Sequence, residues 1–372
     1  MVRLRRADCA GPGISRRTPG RGVTYIDIDG GTVTDPATLA RIEALVIPPA
    51  WREVWICPWP NGHIQATGTD AAGRRQYRYH DDWRRQRDGV KHDHVLEVAR
   101  RLPMARETVA AHLNQRGYPR ERVLACAFRL LDLDFFRIGG ETYAEENQTF
   151  GLATLRPDHV SVRNDVVTFE YVAKVSKERL QSIIDPDVAK IIRGLRKART
   201  GQAELLCYRD GRSWRDVKSA DVNDYLREVV GTEVSAKDFR TWHATVLMAV
   251  GLAVSADAPK TTTARKRAVA RGVQEVATYL GNTPAVCRSS YIDPRIIDLY
   301  DDGVTIRPAL ERLGDDTDFG APATHGHVEA AVLAMLAEPS RAKVARAARA
   351  PRAARPTRLG SPSPSPATRR AS

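Results

Sequence analysis

The spacing of hydrophobic residues changes once along this chain, near residue 91, and this change restricts the folds that the chain can adopt. Before it, apolar and polar residues alternate in short runs separated by Gly, Pro, Asn and Asp, as in strands and tight turns; the first run covers residues 23–29. After it, apolar residues recur every three or four positions, which indicates helix. One such stripe consists of Val95, Val98, Ala99 and Leu102. We therefore expect an α+β fold, with a small β-rich N-terminal domain and a mainly α-helical second domain.

Turn and capping residues divide the chain more finely. Asp35 followed by Pro36 predicts a helix start, because Asp caps free N–H groups and Pro is tolerated at the first helical position. Further elements are predicted as strands at residues 54–57, 63–67 and 76–80, a helix at 120–132, short strands between 151 and 171, and mostly helix from there to about residue 336.

The net charge of +13 is concentrated at the two ends of the chain. Residues 339–372 hold nine Arg or Lys and no acidic residue, and residues 1–22 hold six Arg and one Asp, so the part between them is close to neutral. Basic tails attract polyanions, chiefly nucleic acid, without sequence preference. We predict a basic N-terminal extension at 1–21, a β-rich domain at 22–90, a mainly helical domain at 91–336 and a disordered Arg/Ala/Ser/Pro tail at 337–372.

Several common site types are missing from the sequence. It has no apolar run of membrane-spanning length, no phosphate-binding Gly-rich loop of the ATPase or dinucleotide kind, and no H-E-x-x-H zinc motif. Its five cysteines are scattered, which fits a reducing compartment, and we expect a cytoplasmic, nucleoid-associated protein away from membranes. Asp132 with Asp134, and His92, Asp93 and His94, resemble metal clusters but are interpreted as surface charge on helices.

Three residue types are needed to cleave a phosphodiester without a metal ion. A nucleophile must attack phosphorus in line, cations must hold the non-bridging oxygens, and an acid must protonate the departing oxygen. Tyr can attack and preserve the phosphate as a covalent ester, Arg binds phosphate through two donors, and Lys can be the acid. Four segments carry these residues in order: 135–152, 169–174, 236–242 and 280–291.

These four segments, together with residues 48–80, resemble the small poxviral and bacterial branch of the type IB DNA topoisomerases. The resemblance covers about residues 22–300, and the 48–80 stretch is similar to the N-terminal DNA clamp of that branch. It implies a DNA topoisomerase that relaxes supercoiled duplex DNA through a transient single-strand break and a 3′-phosphotyrosyl intermediate. Strand rotation and religation follow, without ATP, metal or other cofactor. We expect a monomeric protein whose partner is double-stranded DNA.

The resemblance assigns roles to residues of the second domain. Tyr291 matches the nucleophile that becomes joined to a 3′ phosphate. Arg137 and Arg240 match the two arginines that hold the scissile phosphate, and Lys174 matches the general acid toward the 5′ oxygen. Lys237 matches a basic residue close to the phosphate. The alternative for Arg137, from its local sequence alone, is a structural ion pair with Glu145 or Glu146.

The β-rich domain supplies the expected DNA contacts. Gln76, Tyr77 and Tyr79 match clamp residues that touch the major groove and the backbone. Arg75 belongs to a basic cluster with interleaved aromatics, which extends from Arg74 to Lys91 and suits phosphate contacts. Because Tyr77 and Tyr79 share one face of a strand, the alternative is that they are core residues of a small sheet.

One position departs from the poxviral pattern, and two other functions stay open. Asn282 stands where poxviral members and tyrosine recombinases have His; Asn donates a neutral hydrogen bond but is never cationic. Bacterial members resemble this chain in having Asn there. The first alternative is a tyrosine recombinase, whose usual H-x-x-R motif is here Lys237 to Arg240 and which usually begins with a helical domain. The second is a catalytically weak DNA-binding protein.

Overall fold

The computed structural model describes residues 3–18, 22–174, 177–198, 201, 203–255, 261–311 and 325–337. The tail predicted to be disordered at 337–372 lies outside the described residues, except for Ala337. The described part combines β-sheet near the N-terminus with a mainly helical second part, which confirms the α+β fold class.

The strands are β1 Ile14–Arg17, β2 Thr24–Ile26, β3 Arg52–Ile56, β4 Ile64–Thr69, β5 Arg75–Tyr79, β6 Val160–Arg163, β7 Val166–Ala173, β8 Lys177–Ile184, β9 Cys207–Asp210 and β10 Ser213–Asp216. The helices are α1 Pro36–Ala44, α2 Asp81–Leu113, α3 Arg120–Leu133, α4 Glu141–Asn147, α5 Pro186–Lys197, α6 Ser219–Val230, α7 Ala236–Val254, α8 Thr262–Leu280, α9 Pro284–Ser290, α10 Pro294–Asp301, α11 Arg307–Leu310 and α12 His327–Ala337.

The N-terminal part is an antiparallel five-stranded sheet with the order β2-β1-β3-β4-β5. Helix α1 begins as predicted, since the Asp35 carboxylate accepts a hydrogen bond from the Thr38 N–H at 2.8 Å. The side chain of Ile42 on this helix is buried against the sheet in a small separate core. Strand β5 lies at the edge of the sheet, so one side of it remains free of β-pairing among the described strands.

The prediction of a basic extension over residues 1–21 was wrong for β1. Ile14–Arg17 pairs with both β2 and β3 and lies inside the sheet. A basic residue of this stretch binds the protein itself: the guanidinium of Arg16 donates to the carbonyl oxygens of Pro48 at 3.0 Å and Pro49 at 3.2 Å. The first predicted strand, residues 23–29, is in turn reduced to Thr24–Ile26.

The helical part begins earlier than the hydrophobic periodicity indicated. Helix α2 starts at Asp81 rather than near residue 91, with the His80 ring nitrogen accepting from the Asp82 N–H at 3.0 Å as an N-terminal cap. Most residues of its first turns are exposed, so no apolar stripe marks them. From Val95 onward α2 packs into the large core that α3, α6 and α7 share with it.

The prediction of mostly helix after residue 171 missed three strands. Strand β8 pairs with β7 along its whole length to complete a three-stranded sheet, β6-β7-β8, and β9 and β10 form a separate hairpin. Helix α3 agrees with its prediction apart from one residue at its C-terminus.

Two of the polar residues interpreted as surface charge are buried. Asp132 is 1% exposed and forms an ion pair with Arg106 at 2.8 Å, and Arg106 also binds Glu329 of α12. His92, on α2, is 3% exposed. The surface interpretation was therefore wrong for these two residues; Arg106 of α2 links Asp132 of α3 to Glu329 of the last described helix.

Candidate active site

Helix α7 contributes the most deeply buried cation of the site. Arg240 is 3% exposed and lies in the second turn of the helix. Its guanidinium donates to the carbonyl oxygen of Leu280 at 2.9 Å and to that of Phe135. Arg240 therefore joins the segment before Arg137 to the C-terminus of α8.

The turn between α8 and α9 presents the amide of Asn282. Helix α8 ends at Gly281, whose φ of +64° is left-handed, and the Asn282 N–H bonds back to the Ala277 carbonyl oxygen at 3.0 Å. This is the helix ending that glycine favours, because a Cβ is strained at positive φ. A Cβ on Gly281 would also lie 2.9 Å from the Arg179 guanidinium. The sharp turn directs Asn282 toward Arg137.

Arg137 reaches the same turn from the loop after α3. Its guanidinium donates to the side-chain oxygen of Asn282 and, at 3.3 Å, to the Gly281 carbonyl oxygen. The loop is held by a close backbone approach: a Cβ on Gly151 would lie 2.5 Å from the Cα of Gly139. These contacts favour a site role for Arg137 over an ion pair with a glutamate of α4.

Tyr291 follows α9 directly and faces these groups. Its N–H donates to the Cys287 carbonyl oxygen at 3.0 Å, and the Arg240 guanidinium carbon lies 5.3 Å from the centre of its ring. Burial of the phenol raises its pKa, but the cation of Arg240, together with hydrogen-bonding groups of Arg240 and Asn282, outweighs burial and lowers the pKa of Tyr291 below its ordinary value. A lowered pKa favours the phenolate, which is the attacking form.

Two buried donors beside the phenol lack a well-formed hydrogen-bond partner among the described residues. They are the Nε of Arg240 and the side-chain nitrogen of Asn282. Burial, reinforced by the cation of Arg137, lowers the pKa of Arg240 to about 10, so Arg240 remains charged at neutral pH. Buried donors are normally satisfied. Donors without a well-formed partner, grouped around a cationic centre, are suited to an anion with several oxygens, such as a phosphate.

The other two basic residues predicted for the site lie at its edges. Lys174 is exposed at the end of β7, and the two residues after it lie outside the described part of the chain. Lys237 is exposed in the first turn of α7, and its positive charge helps to lower the pKa of Tyr291. The structure thus groups Arg137, Arg240, Asn282 and Tyr291 by contact. The roles of all five predicted catalytic residues stay predictions.

Strand β5 has two different faces. Arg75, Tyr77 and Tyr79 share one face, on which the two tyrosine rings stack with centroids 6.0 Å apart and are 45% and 39% exposed. The alternative that these tyrosines are core residues is therefore wrong. Gln76 lies on the other face and donates to the Asp70 carboxylate at 2.9 Å, so its amide is engaged within the sheet. DNA contact by these residues stays a prediction.

Arg179 of β8, which was not predicted from the sequence, also contacts the C-terminal end of α8. Its guanidinium donates to the Tyr279 carbonyl oxygen at 2.7 Å and to that of Thr278 at 3.5 Å. Three arginines from separate segments, Arg179, Arg240 and Arg137, thus bind the last carbonyl groups of α8 and its turn. Cations are favourable at this end of a helix. No local motif marks Arg179, because its partner lies about a hundred residues further along the chain.

Within the described ranges, no helix combines the length and hydrophobicity needed to span a bilayer. The same ranges contain no group of three or more His, Cys, Asp or Glu side chains arranged to hold a metal ion.

Two family models match separate parts of the chain. Residues 80–304 match the catalytic core of eukaryotic DNA topoisomerase I, and residues 22–70 match the N-terminal domain of bacterial DNA topoisomerase IB. The first match spans the segments that carry all five predicted catalytic residues, and it covers more than half of the chain.

The curated relatives that match this chain are also DNA topoisomerases. The chain is 29% identical over 294 residues to DNA topoisomerase 1B of Acanthamoeba polyphaga mimivirus, an alignment covering 77% of this chain and 87% of that protein. It is 21% identical over 243 residues to DNA topoisomerase 1B of vaccinia virus strain Copenhagen, covering 63% and 72%. It is also 24% identical over 215 residues to DNA topoisomerase 1 of Schizosaccharomyces pombe, covering 54% and 24%.

Proposed function

Because this chain belongs to the type IB DNA topoisomerase family, we propose that it relaxes supercoiled duplex DNA by transient cleavage of one strand through Tyr291. The phenolic oxygen forms a bond to the scissile phosphorus while the bond from phosphorus to the 5′ oxygen breaks. The DNA is left with a 3′-phosphotyrosyl link and a free 5′ hydroxyl. Torsion then rotates the free end, and the 5′ hydroxyl attacks phosphorus to restore the phosphodiester and release Tyr291.

In this proposal each neighbour of Tyr291 has a separate chemical role. Arg137 and Arg240 bind the non-bridging oxygens as charge develops on them, and Asn282 adds a neutral hydrogen bond. Lys174 protonates the departing 5′ oxygen, and the phenolic proton passes to water. Torsional strain drives rotation, and the phosphate bond is conserved throughout, so neither ATP nor a metal ion is required.

One observation carries the proposal. Residues from three distant segments surround a half-buried phenol, and two of them, Arg240 and Asn282, each have a buried donor beside it without a well-formed hydrogen bond. Buried donors are normally satisfied in folded proteins. A phosphate oxygen would satisfy them on DNA binding, at the place where negative charge grows during attack.

The recombinase alternative has less support than this proposal. A recombinase would use the same chemistry, but its sequence would be expected to match family models of recombinases. Here residues 22–70 match a bacterial topoisomerase IB N-terminal domain, and that part of the fold is a sheet rather than a helical bundle. Duplex DNA is therefore proposed as the partner, with a single chain acting on each site.

Relaxation of negatively supercoiled plasmid in EDTA, without nucleotide, tests the proposal. We expect full relaxation to a ladder of topoisomers under these conditions. A requirement for Mg²⁺ or for ATP would contradict it. Formation of linked or recombined plasmids, in place of topoisomers of one circle, would favour the recombinase.

A further inference from the structure

The residues flanking Tyr291 are held by α2, a helix that contributes no predicted catalytic group. Lys91 of α2 donates a hydrogen bond from its ammonium group to the carbonyl oxygen of Ser290, the residue immediately before Tyr291. Lys91 is partly buried, and its charge lies within electrostatic reach of Lys237 and of the Tyr291 phenol. A lysine with only a solvated role would not bring its ammonium to a backbone oxygen inside a site that already holds several cations.

The same helix also binds the chain just after Tyr291. Arg295 forms an ion pair with Asp93 of α2 at 2.7 Å and binds Asp293 with a second pair at 2.7 Å. Asp293 is 2% exposed and caps the start of α10 through its hydrogen bond to the Arg295 N–H at 2.9 Å. Residues 91 and 93 of α2 therefore contact the chain on both sides of the nucleophile.

Helix α7 also contacts this segment. The Thr245 hydroxyl lies 3.4 Å from the Tyr291 carbonyl oxygen and 3.2 Å from the Asp293 N–H. Thr245 is buried one turn after Thr241, on the helix that also carries Arg240. The backbone around Tyr291 thus contacts both α2 and α7, the helix that supplies Arg240.

We propose that Lys91 is a positioning residue for Tyr291: its hydrogen bond to the Ser290 carbonyl oxygen sets the approach of the phenolic oxygen to the scissile phosphorus. The inference rests on the proposed function, because it needs Tyr291 to be the nucleophile. It changes the sequence interpretation of Lys91, which was grouped with Arg75 and its neighbours as a basic cluster for DNA phosphates. The ammonium group that such a contact would use is engaged at the nucleophile's own backbone.

The arrangement also gives α2 a connecting role. The helix starts at Asp81, two residues after Tyr79 of the predicted DNA-contacting strand. Lys91 follows ten residues later, at about 15 Å along the axis at 1.5 Å per residue. The strand predicted to contact DNA and the turn carrying Tyr291 are therefore joined by about three turns of one continuous helix.

A comparison of Lys91→Met, Lys91→Arg and Arg100→Met tests the proposal. Met keeps the aliphatic stem and removes the donor, whereas Arg keeps a donor and the charge. Arg100 lies on α2 and pairs only loosely with Glu97, at 3.5 Å, so Arg100→Met removes one cation from the same helix as a matched control. The rate of covalent adduct formation is measured in a single turnover with enzyme saturating, and DNA affinity is measured with each change combined with Tyr291→Phe.

We expect Lys91→Met to slow adduct formation about 10- to 100-fold at saturation, since small misplacements of a reacting group have effects of this size. Its DNA affinity should change less than about twofold, because one weak contact at most is lost. Lys91→Arg should recover most of the rate, and Arg100→Met should match the unmodified protein.

Two results would overturn the inference. One is weaker DNA binding by Lys91→Met with an unchanged rate at saturation, which would make Lys91 a DNA phosphate contact. The other is no change in either quantity. Both presuppose that the unmodified protein forms the adduct; absence of that adduct would instead overturn the proposed function.

Discussion

At the scale of single residues, the site around Tyr291 depends on arginines that bind backbone carbonyl oxygens and are also proposed to bind phosphate. Arg240 binds two backbone carbonyl oxygens that fix the shape of the site, and it keeps Nε beside the phenol. Arg137 likewise binds the Gly281–Asn282 turn. A planar guanidinium holds five donors in a fixed arrangement, so it can bind protein and phosphate on different edges, whereas a lysine ammonium has three donors and no such fixed plane.

Arg240 gives the sharpest prediction at this scale. Arg240→Ala removes a cation that lowers the pKa of Tyr291, so that pKa should rise. We expect the cleavage rate at neutral pH to fall by about 10²- to 10³-fold, the usual loss for one preorganised donor. The rise of cleavage rate with pH should move to higher pH, since the phenolate then forms only in more alkaline solution.

Single-turnover cleavage measured across pH 6–10 checks this expectation. Arg193→Ala is a suitable control, because Arg193 is a partly exposed residue of α5 that binds the Asn164 carbonyl oxygen away from the site. A pH profile that is unchanged in Arg240→Ala would show that Arg240 does not act on Tyr291.

The residue types of the site could be predicted from sequence, but their mutual contacts could not. The order of Arg137, Lys174, Arg240 and Tyr291 is visible in the chain because each lies in a short recognisable segment. Arg179 could not be found, since it acts on carbonyl groups of a helix far along the chain and any surface arginine of a strand has the same local appearance. The shared face of Tyr77 and Tyr79 followed from strand alternation alone.

At the scale of elements, the end of α8 is the feature that assembles the site. Its last carbonyl groups receive hydrogen bonds from three arginines, and its left-handed Gly281 turns the chain into Asn282 and then α9. The segment 280–291 could be recognised from the sequence because of its Gly-Asn-Thr-Pro run. Strand β8 was missed because its residue types do not follow its burial: exposed and buried positions alternate, but Leu180 and Ile184 are exposed while Gln181 is buried.

Gly281→Ala tests the importance of this helix end. The φ of +64° disfavours a Cβ, and that Cβ would lie 2.9 Å from the Arg179 guanidinium. We expect a loss of about 1 kcal/mol in the free energy of unfolding from the left-handed conformation alone. We also expect at least a tenfold slower cleavage, since Asn282 and Arg179 must shift.

Gly211→Ala is the matched control for this change. Gly211 has a similar φ of +59° at the tip of the β9–β10 hairpin, and a Cβ there meets nothing within 4 Å. It should show a similar loss of stability by denaturant unfolding and normal cleavage. Equal activity of the two variants would mean that the geometry of the α8 end is not needed for cleavage.

At the scale of the whole molecule, two cores of very different size share the chain. The sheet of the N-terminal part surrounds a small core around Ile42 and Ile56, and the helical part surrounds the large one. The body between the tails is close to neutral in net charge, so attraction to DNA must come from local groups and from the basic ends. Sequence predicted this charge division directly, because it depends on composition and not on folding.

Deletion of residues 339–372 tests the role of the basic tail. The deletion removes nine Arg or Lys and begins after the end of α12 at Ala337. We expect weaker DNA binding at low salt and a shallower dependence of log affinity on log salt, because fewer counterions are released. Cleavage at saturating enzyme should stay unchanged. A tail of equal length with Ser in place of each Arg and Lys should behave like the deletion; a salt slope equal to that of the full chain would show that the tail does not contact DNA.

The central claim is that Tyr291 is the nucleophile, and trapping of the covalent complex tests it most directly. Supercoiled plasmid is incubated with the protein in EDTA, the reaction is stopped with denaturant, and the DNA joined to protein is counted and its linked end identified. The account predicts a phosphotyrosyl link at the 3′ end of the broken strand for the unmodified protein, and none for Tyr291→Phe. An adduct formed by Tyr291→Phe in normal amount, or no adduct from the unmodified protein, would contradict it.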